Sequence, residues 1–127
     1  MRSLTVFLAL AMLTLVFMPA RAGVPVEVIT TANFTQKVLN SDLPVVVQFD
    51  AKWCPYCRKV QPLLSDLAAD KAGKIAVYRI DIDADYGLAQ LFGVRSLPTI
   101  VLIKKGMEVA RIESVPSKAK LYLFADK

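Results

Sequence analysis

Residues 45–57 read Val-Val-Val-Gln-Phe-Asp-Ala-Lys-Trp-Cys-Pro-Tyr-Cys. Val45 to Phe49 is a short apolar run rich in β-branched side chains, preceded by the turn signal Ser41 to Pro44. Such a run suits a strand covered on both faces, and hence the centre of a sheet. Cys54 and Cys57 follow, and then a helical pattern to about Ala69 in which Val60, Leu63, Leu64 and Leu67 are spaced for one face. Pro62 falls inside that helix, where its missing backbone donor predicts a kink. A buried strand therefore runs straight into a helix, with a Cys-x-x-Cys pair at the junction.

Working outward, Val26 to Ile29 reads as an edge strand, and Thr30-Thr31 offer cap oxygens to a helix over about 32–40 that buries Phe34, Val38 and Leu39. Gly73 ends the cysteine-bearing helix. Ile75 to Ile82 is a second core strand, backed by a short helix over about 86–92 that Gly93 closes. Thr99 to Lys104 and Glu108 to Ile112 form a hairpin across Lys105-Gly106-Met107, and Ser117 caps a last helix carrying Leu121, Leu123 and Phe124. Early strand-helix-strand units force parallel pairing and the hairpin adds antiparallel strands. The expected fold is α/β: a mixed central sheet, with a parallel core and a C-terminal hairpin, flanked by helices.

The chain has 127 residues, 16 Lys+Arg against 11 Asp+Glu, no His, two Cys, and 55% hydrophobic residues. The apolar excess is concentrated in Ser3 to Met18, which follows Arg2 and leads into Pro19 and Ala20-Arg21-Ala22. A basic start, an apolar stretch shorter than the roughly 20 residues of a spanning helix, and small residues at the cleavage position read as a signal peptide over 1–22. An uncleaved anchor is the alternative. Residues 23–127 then form one domain carrying 14 basic and 11 acidic residues. Its charge is scattered, without an Arg-rich run or aromatic interleaving, which argues against nucleic acid. Lack of histidine excludes His-based metal ligation and Ser-His or Cys-His nucleophile pairs.

Three bland readings of the cysteine pair compete with a catalytic one. A zinc site needs about four ligands, and two thiols without His cannot close one, so no metal is expected. A purely structural disulfide closing a four-residue loop contributes only roughly 2 kcal/mol in the chain-entropy model, a weak staple. Two unreacting buried thiols are the third. The catalytic reading accounts for the placement: at a helix N-terminus, unpaired N–H groups and the macrodipole favour a thiolate at Cys54, and Lys52, Arg58 and Lys59 add to that field. Pro55 takes the first helical position, where its missing N–H costs nothing. One turn on, Cys57 returns beneath Cys54. The expectation is an exposed outer nucleophile, Cys54, and an inner resolving thiol, Cys57, working by thiol-disulfide exchange.

Phe49 to Cys57 (FDAKWCPYC) with Pro62, Tyr78 to Asp83 (YRIDID), Phe92 to Thr99 (FGVRSLPT) and Lys105-Gly106 together resemble the thioredoxin superfamily over nearly all of residues 23–127. The resemblance implies a thioredoxin fold, a cis peptide between Leu97 and Pro98, and a substrate groove formed by Trp53, Pro55, Tyr56, Leu97 and Pro98 around Cys54 and Cys57. Three positions depart from the pattern. Gln48 stands where a buried acid is expected, so proton transfer to Cys57 would fall to water or to Asp50, which could equally be a solvated charge at a strand end. Arg79 replaces a lysine that often faces that acid, leaving its ion pair in doubt, and Ser114 replaces a glycine at the partner-facing rim.

Pro55-Tyr56 is similar to the pair found in glutaredoxins, but Trp53, Leu97 and the missing Gly-Gly turn are not. Strong periplasmic oxidases of the superfamily carry His in the second inter-cysteine place and a helical insertion for which this chain has no room. The resemblance therefore implies a small periplasmic or secreted protein disulfide oxidoreductase that reduces or exchanges disulfides of exported, cysteine-containing proteins, without a cofactor. A membrane thiol-disulfide protein is the expected electron donor. Nothing in the sequence argues for an oligomer, so a monomer is expected. Net dithiol oxidation is one alternative; a binding or chaperone module without redox turnover, presenting Trp53, Tyr56 and Leu97, is the other.

Overall fold

The computed structural model describes residues 23–127; the expected signal peptide over 1–22 lies outside the described residues. Five strands form one sheet: β1 (Glu27–Val28), β2 (Val45–Asp50), β3 (Ala76–Asp81), β4 (Thr99–Lys104) and β5 (Met107–Ile112), in the spatial order β1-β3-β2-β4-β5. β1 and β2 both run parallel to β3, whereas β4 is antiparallel to β2 and β5 to β4. This is the mixed sheet expected, with β2 at its centre.

The period of two along β2 explains why every residue of that strand is buried. Val45, Val47 and Phe49 join Ile80, Val101 and Ile103 on one face, covered by Phe34 and Val38 of the first helical segment and by Leu88 and Ala89 of α3 (Tyr86–Leu91). Val46 joins Val77, Ile100 and Leu102 on the other, covered by Val60, Leu64 and Leu67 of α2 (Pro55–Asp70) and by Leu121 and Phe124 of α4 (Lys118–Ala125). With helices on both faces, no polar alternation is called for. Gln48 and Asp50, which alternate onto the α2 side, are the exceptions, and both belong to the site described below.

Three details differ from expectation. The first helix begins as α1 (Thr31–Phe34) and widens into a π-helical turn over Thr35–Leu39, closed by the Asn40 N–H donating to the Thr35 carbonyl at 2.9 Å. Widening the turn moves Leu39 out of the helical phase that buries Phe34 and Val38, and it is 39% exposed. At this helix's start the backbone N–H of Thr30 donates to Asn33 Oδ1, while Thr31 donates from both its N–H and its hydroxyl to Asp85, the cap of α3. Finally, Met107 belongs to β5 and the hairpin loop is Lys105-Gly106 alone, with φ of 50° and 75°. Two consecutive left-handed residues make a turn whose twist matches the flanking strands.

Candidate redox site

β2 ends at Asp50, and Ala51 to Trp53 turn the chain into α2, with the Cys54 N–H donating to the Ala51 carbonyl at 3.1 Å. Cys54 is the N-cap of α2 and Pro55 its first residue, as the sequence predicts. Cys54 and Cys57 form a disulfide with a Cα–Cα separation of 5.3 Å. The Cys57 N–H, one of the donors a helix start leaves without an intrahelical partner, points at Cys54 Sγ at 3.2 Å. That donor favours negative charge on this sulfur once the bond is reduced.

Exposure corrects the sequence reading. Cys54 is only 3% exposed and Cys57 not at all, so the outer sulfur sits at the floor of a depression instead of on the surface. Cys54 lines a cleft of about 410 Å³ with Trp53, Tyr56, Tyr86, Arg95 and Leu97, and a second cleft of about 370 Å³ runs on the other side of Tyr56 and Leu97, between Lys59, Pro98, Ser114 and Val115. Of the two sulfurs only Cys54 borders a cleft, which preserves the division into outer and inner thiol. Trp53 and Tyr56 form exposed walls, at 65% and 58%, while Leu97 packs on the buried cluster of Ala51, Cys54 and Cys57. The Leu97–Pro98 peptide is cis, as the resemblance implies, and the Thr99 hydroxyl donates to the Ser96 carbonyl at 2.7 Å, pinning this loop beside the disulfide.

Beneath the cysteines, Gln48 is fully buried and its Nε2 donates to the Cys57 carbonyl at 3.3 Å, while its Oε1 has no partner. Asp50 is not a solvated charge. It is 2% exposed, and Arg79 Nε donates to its Oδ2 at 2.6 Å. Arg79 thus keeps an ion pair, but with Asp50 instead of position 48: Gln48 is its register neighbour on β2, and the long guanidinium side chain reaches two residues along the strand. Burial pushes the Asp50 carboxyl above the usual carboxylate range; hydrogen bonding from Arg79 and its positive charge oppose that, Asp81 adds to it, and a hydrogen bond from Gln61 on α2 opposes it.

Asp83, which the sequence reading did not single out, accepts from Trp53 Nε1 at 2.8 Å and fixes the indole. Parallel pairing supplied a usable signal. Asp50 registers with Asp81, so the turns that follow β2 and β3 emerge at the same edge of the sheet and put residues 53 and 83 within reach. Tyr86 and Arg95 were likewise not anticipated, since each comes from a loop or helix start that only the closed sheet brings to the cleft, whereas Ser114, expected at the rim beside Val115, does line the second cleft with it.

The fold and this junction define a class: a mixed sheet between two helical layers, with a Cys-x-x-Cys disulfide at the N-terminus of the helix after the central strand. The thioredoxin family model matches residues 25–127. The chain is 37% identical over 99 residues to the thioredoxin of Haemophilus influenzae, covering 78% of this chain and 92% of that one. It is 38% identical over 93 residues to thioredoxin 1 of a Nostoc species, covering 73% and 87%, and 40% identical over 93 residues to a thioredoxin of Mycobacterium tuberculosis, covering 73% and 80%. The protein belongs to the thioredoxin family and is a thioredoxin-like thiol-disulfide oxidoreductase with a Cys54–Cys57 disulfide.

Proposed function

We propose that this protein reduces or exchanges disulfides of exported, cysteine-containing proteins, acting as a monomer in a periplasmic or secreted setting after removal of residues 1–22. The observation that carries the exchange chemistry is the asymmetry of the pair: Cys54 borders a cleft and Cys57 is sealed behind it. In the reduced protein the Cys54 thiolate attacks one sulfur of a partner disulfide. The partner's S–S bond breaks, a mixed disulfide forms, and one partner thiolate leaves and takes up a proton. The Cys57 thiol gives up its proton and attacks Cys54 Sγ, expelling the second partner sulfur. Two electrons pass to the partner, and the protein is left with its own disulfide. The Cys57 proton passes to water or to a titratable group such as Asp50, which is buried on the same α2-facing side of β2 as Gln48.

A membrane thiol-disulfide protein is the electron donor consistent with an exported site of action. Quantifying the steady-state thiol state of the wild-type pair in fractionated cells tests direction and setting together. A mostly dithiol form in the envelope fraction supports a reductant; a mostly bridged form supports net oxidation; a cytoplasmic pool contradicts export. The exposed Trp53 and Tyr56 favour one second reading, a binding module. Biological activity that survives Cys54→Ser would establish it.

A further inference from the structure

Among the described residues, the charged side chains that line the two clefts at the disulfide are basic. Of the described residues, Arg95 is the only charged side chain lining the cleft that reaches Cys54, Lys59 is the only one lining the cleft beyond Tyr56, and no carboxylate lines either. Lys59 Nζ lies 5.2 Å over the Tyr56 ring, which holds its charge at the rim. Lys52 and Arg58 flank the start of α2, with Arg58 Nη1 donating to the Lys52 carbonyl at 3.1 Å. All four are exposed, and none makes an ion pair among the described residues. Elsewhere Lys37, Lys71, Arg79, Arg111 and Lys118 each have an acidic partner, while Lys74, Lys104, Lys105, Lys120 and Lys127 make no ion pair among the described residues; what sets Arg95 and Lys59 apart is that they line the clefts at the disulfide. Asp83 touches this rim through the Trp53 indole and keeps its negative charge, but it lines neither cleft.

Between the cations the surface is apolar: Trp53, Tyr56, Tyr86, Leu97 and Val115. We infer that the two clefts form one docking surface for an extended segment of a partner protein whose cysteine is bordered by apolar residues and whose flanks carry carboxylates, met by Arg95 on one side of Tyr56 and by Lys59 on the other. Unpaired cations at a partly apolar rim raise the encounter rate with an acidic segment and set its orientation, and they repel a basic one. The inference rests on the exchange reading, whose substrate class it narrows.

The test uses the protein without residues 1–22, reduced, and short peptides dimerised through a single central cysteine. Three otherwise identical peptides carry Glu, Gln or Lys two and three residues from the cysteine on each side. Each rate is divided by the rate of the same peptide with dithiothreitol, which also attacks as a singly charged thiolate, so that the peptide's own charge effect on its disulfide cancels. At low ionic strength the Glu peptide is expected to react roughly tenfold faster than the Gln peptide and the Lys peptide slowest. At about 0.5 M NaCl the difference should fall to within about twofold. In a Lys59→Gln/Arg95→Gln variant the Glu-to-Gln ratio, read within that variant so that any general loss cancels, should drop to about threefold or less. Equal rates for the three peptides, or a ratio untouched by the double substitution, overturn this inference and leave the exchange reading standing. Failure to reduce any of them overturns both.

Discussion

Asp50→Asn separates two views of the ion pair beneath the redox helix. If the pair acts mainly as a Coulombic staple, removing one partner of a buried pair costs about 3–5 kcal/mol, and the deficit grows as the carboxyl ionises with rising pH. The geometry argues for the reverse. Asp50 is almost wholly out of water, and burial raises its pKa above the ordinary value near 3.8 despite the 2.6 Å contact with Arg79. A carboxyl whose folded-state pKa lies above its unfolded value adds stability that is complete below the unfolded pKa and is lost as pH rises through the folded one. Asparagine matches the neutral acid in size and keeps an acceptor for Arg79, so the variant gives up about 1 kcal/mol at pH 3.5. It cannot ionise, so it escapes the loss that the wild type suffers at higher pH. Urea unfolding of both disulfide-bonded proteins, followed by far-UV circular dichroism, should show the variant's deficit shrinking or reversing between pH 3.5 and 7. A deficit that grows by more than about 1 kcal/mol over that interval refutes the reasoning.

Asp85 titrates with the opposite sign. Hydrogen bonds from the Thr31 hydroxyl and N–H, with a smaller one from the Leu88 N–H, hold its carboxyl below the usual range, so the stability it adds is present above about 3.8 and is lost as pH falls through the lower folded value. Asp85→Ala should cost about 1 kcal/mol in thermal melts at pH 7 and much less near pH 2. Phe49 is fully buried with its ring centroid 5.3 Å from that of Phe92, and Phe49→Ala should cost about 3–5 kcal/mol in denaturant unfolding, with the slope on denaturant unchanged.

The central strand, the helix start at Pro55 and the mixed sheet were legible because each is written locally: an apolar run, a proline at the first helical position, a hairpin turn. Leu39 was misread because a helical wheel assumes one pitch, and the π turn over Thr35–Leu39 abandons it. The Asp50–Arg79 pair was hidden because the guanidinium reaches diagonally across two strands, past its register neighbour Gln48. The depth of Cys54 was hidden for a related reason. Ala51, Ile82 and Leu97 pack around the cysteines, and they arrive from three separate segments that come together only in the folded sheet. The chemistry of the pair was readable from spacing and position, whereas the shape and charge of its surroundings were not.

The most direct measurement is capture of the exchange intermediate by single-cysteine variants. Reduced Cys57→Ala protein, mixed with a disulfide-bonded protein such as insulin, should accumulate a mixed disulfide that mass spectrometry places on Cys54 and that dithiothreitol dissolves, because the thiol that would release it is gone. Cys54→Ala should accumulate little, since Cys57 is sealed from the clefts. Equal adduct yields from the two variants, or none from Cys57→Ala, would contradict the assignment of Cys54 as the attacking sulfur.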